Sequence, residues 1–182
     1  MAQDKNTTGV AILGSTGSIG RSTLDVIARN PDRFNVVALS AHQSIDLLLQ
    51  QVIQFKPQYV VVTDTAAAAI FKAQLKDITH APQLLSAETG LVEVVQLDAV
   101  DSVMAAIVGG AGLPSTLAAA HAGKNVLLAN KEALVMAGEL LLTAAAESGA
   151  RLLPIDSEHN AVLQCLATVS YTHLRAHETR HD

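Results

Sequence analysis

The chain has 182 residues, 49% of them hydrophobic and 16% charged, and a formal net charge of −5. That length and apolar content suit one compact domain with a small appendage and argue against a disordered chain. The acidic balance gives no broad attraction for nucleic acid or an anionic membrane, so neither is expected as a partner.

The opening residues, "MAQDKNTTGV", are polar and lack the apolar core of an export signal. The single cysteine, Cys165, has no internal disulfide partner, which fits a reducing compartment. A cytoplasmic location follows as the expectation.

Short runs rich in Val, Ile and Leu alternate with longer helical stretches, the pattern of a buried parallel sheet covered on both faces. Strands are expected near 8–13, 35–40, 59–63, 103–108, 125–128 and 151–155, with a short one at 83–86. Helices fit between them near 18–29, 44–55, 65–76, 89–96, 114–122 and 131–148. "RNPDR" and "KPQ" break helix from strand, and Gly149 is placed to end the last helix at its C′ position. The expected class is α/β, a Rossmann-like doubly wound, mostly parallel sheet with helices on both faces.

After the first strand comes "GSTGSIGRST", with Gly14, Gly17 and Gly20 at every third position. A glycine turn leading from a strand into a helix near Ser18 makes an anion site, because unpaired backbone N–H groups at the helix start face the loop. Gly14 would permit the tight turn, Gly17 the close approach of a diphosphate, and Gly20 the packing of helix on strand. The spacing is one residue wider than the usual dinucleotide fingerprint, and an ordinary strand-to-helix connection is the competing reading. An NAD site carries an acid at the end of the second strand, whereas "VVALSAHQS" has none there, which favours NADP. Arg21, His42 and Ser44 are candidates to face its 2′-phosphate, against plain roles as solvated surface residues or caps.

Farther on, "VMAAIVGGAGLPSTLAAA" is apolar, but Gly109, Gly110, Gly112 and Pro114 break it, so a membrane-spanning helix is not expected there. "LLANKEAL" then puts Asn130, Lys131 and Glu132 at the exit of strand 125–128, the edge where open α/β sheets bind ligands. Asn130 as a cap and Glu132 as a dipole partner are explicable structurally; a lysine at a helix start opposes the dipole and invites an anionic or oxygen-rich substrate.

"LLPIDSEHN" repeats the arrangement at the next strand end. In an extended segment Asp156 and Glu158 point the same way, and two hard oxygen donors suit Mg²⁺ or Mn²⁺. The alternative is a helix start capped by Asp156 or Ser157, with His159 as a hydrogen-bonded structural residue. The closing "VSYTHLRAHETRHD" contains His177-Glu178-Thr179-Arg180-His181, a formal H-E-x-x-H match. One residue follows His181, so neither a supporting helix nor a third ligand comes after it, and the match is read as accidental.

"ILGSTGSIGRSTLDV", "VMAAIVGGAGLPSTLAA", "LLANKEAL" and "LLPIDSEHNA" together resemble the 1-deoxy-D-xylulose 5-phosphate reductoisomerase family over about residues 8 to 166. The resemblance implies an NADPH-dependent, divalent-metal-dependent enzyme (Mg²⁺ or Mn²⁺, with Co²⁺ as a further option). It rearranges a small sugar phosphate and reduces the product aldehyde to 2-C-methyl-D-erythritol 4-phosphate, a step of isoprenoid precursor synthesis. Position by position it implies Thr16, Gly17, Ser18, Ile19, Asn130 and Glu132 against the cofactor and Lys131 and Ser157 on the substrate. Asp156 and Glu158 would be the metal ligands, and Lys131, Asp156 and Glu158 the catalytic set.

It also implies that residues 1–7 are a polar extension, 8–155 an NADP-binding Rossmann domain, and 156–167 the start of a catalytic domain cut short. The stretch 168–182 is unlike the family and is expected to be disordered or an artefact of adapter read-through. On that expectation the chain is an N-terminal fragment, inactive alone, of a homodimeric parent; the alternative is a non-catalytic NADP-binding module. "AHQS" departs from the glycine and basic or amide-bearing stretch often found in the family, which leaves the roles of His42, Gln43 and Ser44 open.

Overall fold

A computed structural model describes residues 7–129, 131–157, 160–161 and 164–165, and the apolar runs become the strands of one sheet. In chain order these are β1 (Thr8–Leu13), α1 (Ser18–Ala28), β2 (Phe34–Ala41), α2 (Ile45–Phe55), β3 (Tyr59–Val62), α3 (Thr65–Gln74) and β4 (Gln83–Ser86). There follow α4 (Ala87–Val95), β5 (Ser102–Ala105), α5 (Leu113–His121), β6 (Asn125–Leu128), α6 (Lys131–Ser148) and β7 (Arg151–Pro154). Among the described residues, no helix is long and apolar enough to cross a membrane.

The seven strands lie in the order β4-β3-β2-β1-β5-β6-β7, and every pairing is parallel. The chain winds outward from β1 through β2, β3 and β4, then returns to the other side of β1 for β5. The order therefore reverses between β1 and β5, and a crevice opens outside the carboxyl ends of those strands, where such sheets take their ligands.

Alternation along the strands loads both faces. Val10, Ile12, Leu39, Val60, Val62 and Met104 pack with Leu24 and Ile27 of α1, Leu48 and Val52 of α2 and Phe71 of α3. Ala11, Leu13, Val61, Val103 and Val126 pack with Leu91, Val94 and Val95 of α4 and Ala119 of α5. One irregularity resets this phase: Val10 pairs with Val36 but Ala11 with Ala38, so Val37 is an extra residue in β2. Val37 and Ala38 consequently both fall on the second face, and the apolar side chains stay matched beyond the bulge.

Two expectations are corrected. β5 ends at Ala105 rather than at 108, because its neighbours end level with it, Leu13 and Leu128 both pairing with Ala105. The helix 131–148 is not continuous: Ala137 has φ −148° and ψ 32°, so α6 kinks there, before Gly138. Gly149 does close α6, with φ +78° and its N–H donated to the Ala145 carbonyl at 2.9 Å.

Candidate functional site

The three loop glycines differ in what forbids a side chain. Gly14 has φ +80°, and a Cβ there would lie 2.9 Å from the Ala106 carbonyl oxygen at the end of β5. At Gly20 a Cβ would overlap the Gly14 carbonyl and come within 2.5 Å of the Ser15 Cα, so only glycine lets α1 lie on the turn. Gly17 has neither reason. Its φ of −73° and ψ of 172° suit any residue, and a Cβ would meet only the Gly14 carbonyl, at an ordinary 3.4 Å. The protein itself would accept a side chain at 17; what a side chain would obstruct is an approach from outside.

Gly17 is also the N-cap of α1, and no side chain caps that helix. Its first turn contains no acid, so the N–H groups at Ser18 and Ile19 and the positive end of the helix dipole face outward. An anion at that place gains hydrogen bonds and charge complementarity together.

A buried polar network holds the loop in place. The Ser40 hydroxyl accepts the Gly14 N–H at 2.9 Å, and the Ser15 N–H donates to the Ser40 carbonyl at 2.9 Å. From α2, Gln51 accepts the Ser15 hydroxyl at 2.7 Å and donates its amide to the Ser15 carbonyl at 2.9 Å. Ser15, Ser40 and Gln51 are all buried, so these bonds form away from water, where leaving one unmade is expensive.

In front of the loop is a cavity of about 440 Å³ lined by Gly14, Thr16 and Gly17, by Ser40, Ala41 and His42 from the end of β2, and by Thr63 beyond β3. Its far walls are Glu88 and Leu91 of α4, Ala106, Ile107 and Val108 after β5, and Ala111. Ala106, Ile107 and Val108 also wall a second cavity, of about 270 Å³, with Ile19, Ala129, Lys131, Glu132 and Asp156. The two cavities share that apolar wall and together make up the cleft, with the glycine loop lining the first and the charged group lining the second.

Thr16 and Gly17 thus line the first cavity and Ile19, Lys131, Glu132 and Asp156 the second, and Ser18 opens α1 between Gly17 and Ile19. Asn130 and Glu158, and His159 with them, lie outside the described residues, as does the tail from 166 with its H-E-x-x-H match. Near Asp156 the backbone turns helical at Ser157 instead of remaining extended, and the Asn160 N–H donates to the Asp156 carbonyl at 3.0 Å. Asp156 therefore stands at a helix start and lines the cleft at once. Among the described residues there is no group of three His, Cys, Asp or Glu side chains arranged to hold a metal.

Of the candidates for a 2′-phosphate, His42 lines the larger cavity, its Nδ1 2.9 Å from the Thr63 hydroxyl. Gln43 donates to Asp64 at 3.1 Å, and Asp64 caps α3 by accepting the Ala67 N–H at 2.8 Å. Those two bonds, the backbone one foremost, and the charge of His42 hold the Asp64 carboxyl below its ordinary value. Ser44 precedes α2 without capping it, and Arg21 lies in a separate groove with Gln50 and Gln54.

Ser15, Ser40, Gln51 and Glu88 were not anticipated from the sequence. A signal for two of them existed: Ser40 is a polar residue inside an apolar strand, and Gln51 sits on the buried stripe of α2 beside Leu48 and Val52. A polar residue on a core face implies a fixed partner.

A family model described as 1-deoxy-D-xylulose 5-phosphate reductoisomerase matches residues 10–138, from the middle of β1 past the kink of α6. The chain belongs to this reductoisomerase family. A reductoisomerase from Methylococcus capsulatus is 57% identical over 159 residues, 87% of this chain and 40% of the relative. Another, from Saccharophagus degradans, is 55% identical over 157 residues, 86% of this chain and 40% of the relative. A solved DOX-P reductoisomerase in complex with NADPH, fosmidomycin and magnesium superposes with a TM-score of 0.84 at 48% identity, covering 87% of this chain and 38% of that one. The reductoisomerase relatives are thus matched over about 40% of their length.

Proposed function

We propose that this chain binds NADPH in the cleft and forms the cofactor half of a reductoisomerase that converts 1-deoxy-D-xylulose 5-phosphate to 2-C-methyl-D-erythritol 4-phosphate. The observation that carries the cofactor reading is Gly17, a glycine that neither backbone nor packing requires, at a bare helix start over a 440 Å³ cavity. The relative solved with NADPH, fosmidomycin and magnesium supports the same assignment.

In this reading the backbone at Thr16, Gly17, Ser18 and Ile19 receives the diphosphate, with Asn130 and Glu132 farther along the cofactor. Ala106, Ile107 and Val108 give the cofactor an apolar wall on one side of the cleft. NADPH, when bound, supplies the hydride that reduces the aldehyde. Lys131 lies in the same small cavity as Asp156, where its charge offsets negative charge developing on the substrate's oxygens; Ser157 helps to orient the substrate. Asp156 offers a hard oxygen donor to that cavity, and Asp156 with Glu158 would hold Mg²⁺, Mn²⁺ or Co²⁺. The cation, when bound, supplies Lewis-acid polarisation of the substrate's oxygens.

The lone Cys165 is in keeping with a cytoplasmic enzyme, and the family reading carries a homodimeric parent. It also divides the molecule into residues 8–155 for the cofactor and a second unit from 156. For the 182 residues by themselves, binding without turnover is the second reading, since the chain matches only about 40% of the length of its reductoisomerase relatives.

The test is NADPH fluorescence titrated with this chain and with Gly17→Val. Saturable enhancement by the natural chain and affinity at least about tenfold weaker in the variant are expected, since a side chain at 17 displaces a diphosphate from the bare N–H groups. Equal affinity in the two proteins rejects the assignment. Substrate-dependent oxidation of NADPH by the 182 residues alone rejects the second reading.

A further inference from the structure

Lys131 and Glu132 line the second cavity from the first segment of α6, so whatever fixes that segment also fixes the far end of the cleft. The kink at Ala137 separates residues 131–136 from the longer remainder of the helix. Ala133 fastens the segment on one side, buried with Ala120, Leu141 and Ala144 and packed near Leu113 and Leu117 of α5. The segment ends on Met136, which is 60% exposed and stands outside that cluster.

Met136 reaches a single 3₁₀ turn, Gly109–Gly112, that directly follows the shared wall of Ala106, Ile107 and Val108. Gly109 has φ +74°, which favours glycine, whereas Gly110 lies outside the left-handed region. Among the described residues, and its chain neighbours aside, a Cβ at Gly110 would meet only Met136 within 4 Å, the methyl at 3.2 Å and the sulfur at 3.7 Å. The bare backbone at 110 therefore makes room for the tip of Met136, and a flexible thioether is suited to lying on such a surface.

We infer that Met136 is a positioning residue: docked on Gly110, it holds Lys131 and Glu132 against the wall of Ile107 and Val108 and so fixes the nicotinamide end of the site. This rests on the NADPH reading above and goes beyond it, because Met136 lines neither cavity and acts through the helix segment that carries the two charged residues. A segment held in place before the ligand arrives lowers the ordering cost of binding, and the gain is confined to the part of the ligand that the segment meets.

The experiment measures Kd by calorimetry for NADPH and for 2′-phospho-ADP-ribose, which keeps the adenosine, the 2′-phosphate and the diphosphate but lacks the nicotinamide, with the full 182-residue chain. The ratio of the two constants is the readout, since a change in folding or in the glycine loop moves both alike. The natural chain should prefer NADPH, and Met136→Ala should lose about fivefold of that preference while 2′-phospho-ADP-ribose binds as before. Met136→Leu, of similar volume, should retain most of it. Gly110→Ala, which forces the methyl outward, should lower the ratio in the natural chain and leave it unaltered in Met136→Ala, as coupled neighbours do.

An equal effect of Met136→Ala on both ligands, or none on either, overturns the role of Met136 while leaving NADPH binding intact. So does a Gly110→Ala effect that is as large without Met136 as with it. A natural chain that binds the two ligands equally puts the nicotinamide outside the second cavity and overturns this inference alone. One that binds neither overturns the cofactor reading with it.

Discussion

The two ends of the cleft are built differently. At the glycine loop every restraint is internal: Gly14 and Gly20 are fixed by backbone contacts, and Ser15, Ser40 and Gln51 bond one another in the buried interior. At the charged end, Lys131 and Glu132 ride on the short first segment of α6, before the kink at Ala137. That helix leaves Val135 85%, Met136 60% and Leu140 60% exposed, so its outer side gains little from packing on the described residues. The glycine-loop end is therefore shaped before any ligand arrives, whereas the charged end is carried by a helix with an exposed apolar side. Preorganisation of this kind is what turns contacts into affinity.

The sharpest way to break this contrast is to compare two glycines three residues apart. Gly20→Val forces α1 off the turn and should cost roughly 3 kcal/mol or more, read from urea unfolding. Gly17→Val should cost only about 1 kcal/mol, mostly for a poorer N-cap, although it is the variant that loses NADPH. Similar stability losses in the two would mean that position 17 is a packing glycine after all.

Gln51→Leu tests the network. It leaves the Ser15 hydroxyl and carbonyl without their α2 partner, which should cost about 1–3 kcal/mol. NADPH affinity should fall as well, because the loop is no longer pinned. Unchanged affinity in the folded Leu variant would show that the loop keeps its shape without the network. At the other end, Val135→Ser and Leu140→Ser should each shift unfolding by no more than about 0.5 kcal/mol, as surface changes do. A loss of several times that would reveal packing on a side of α6 here described as exposed.

The same contrast governs what was legible in the sequence. The strands could be placed because Val-rich runs ended by Pro, Gly or polar residues have few other uses in a doubly wound sheet. The turn at Gly14 and the close packing at Gly20 were legible for the same local reason, each being a statement about a turn and its immediate neighbours. What depends on partners far along the chain was not. The apolar run through Ile107 and Val108 reads as a continuation of β5, yet pairing stops at Ala105, and Val108 is 82% exposed on the cleft wall. Likewise Gln51 finds Ser15 across 36 residues, and a kink inside an Ala- and Leu-rich helix leaves no propensity signal except Gly138.

The smallest effect expected lies at the head of α3, in Asp64. Its folded value lies below the ordinary 3.8, because the ionised carboxyl accepts the Ala67 N–H, accepts from Gln43 and faces His42. A group whose folded value is lowered binds a proton less readily in the native than in the unfolded chain. Its contribution is therefore complete above the unfolded value and is lost as pH falls through the folded one. Asp64→Asn should melt below the natural chain by a constant margin near neutral pH, and the two curves should converge in acid as the carboxyl becomes protonated in the folded chain. Because Asp64 is only half-buried, solvent screens its charge and the margin is small. A margin that instead grows toward acid would mean that the α3 cap opposes folding, leaving the His42 side of the cavity without its fixed edge.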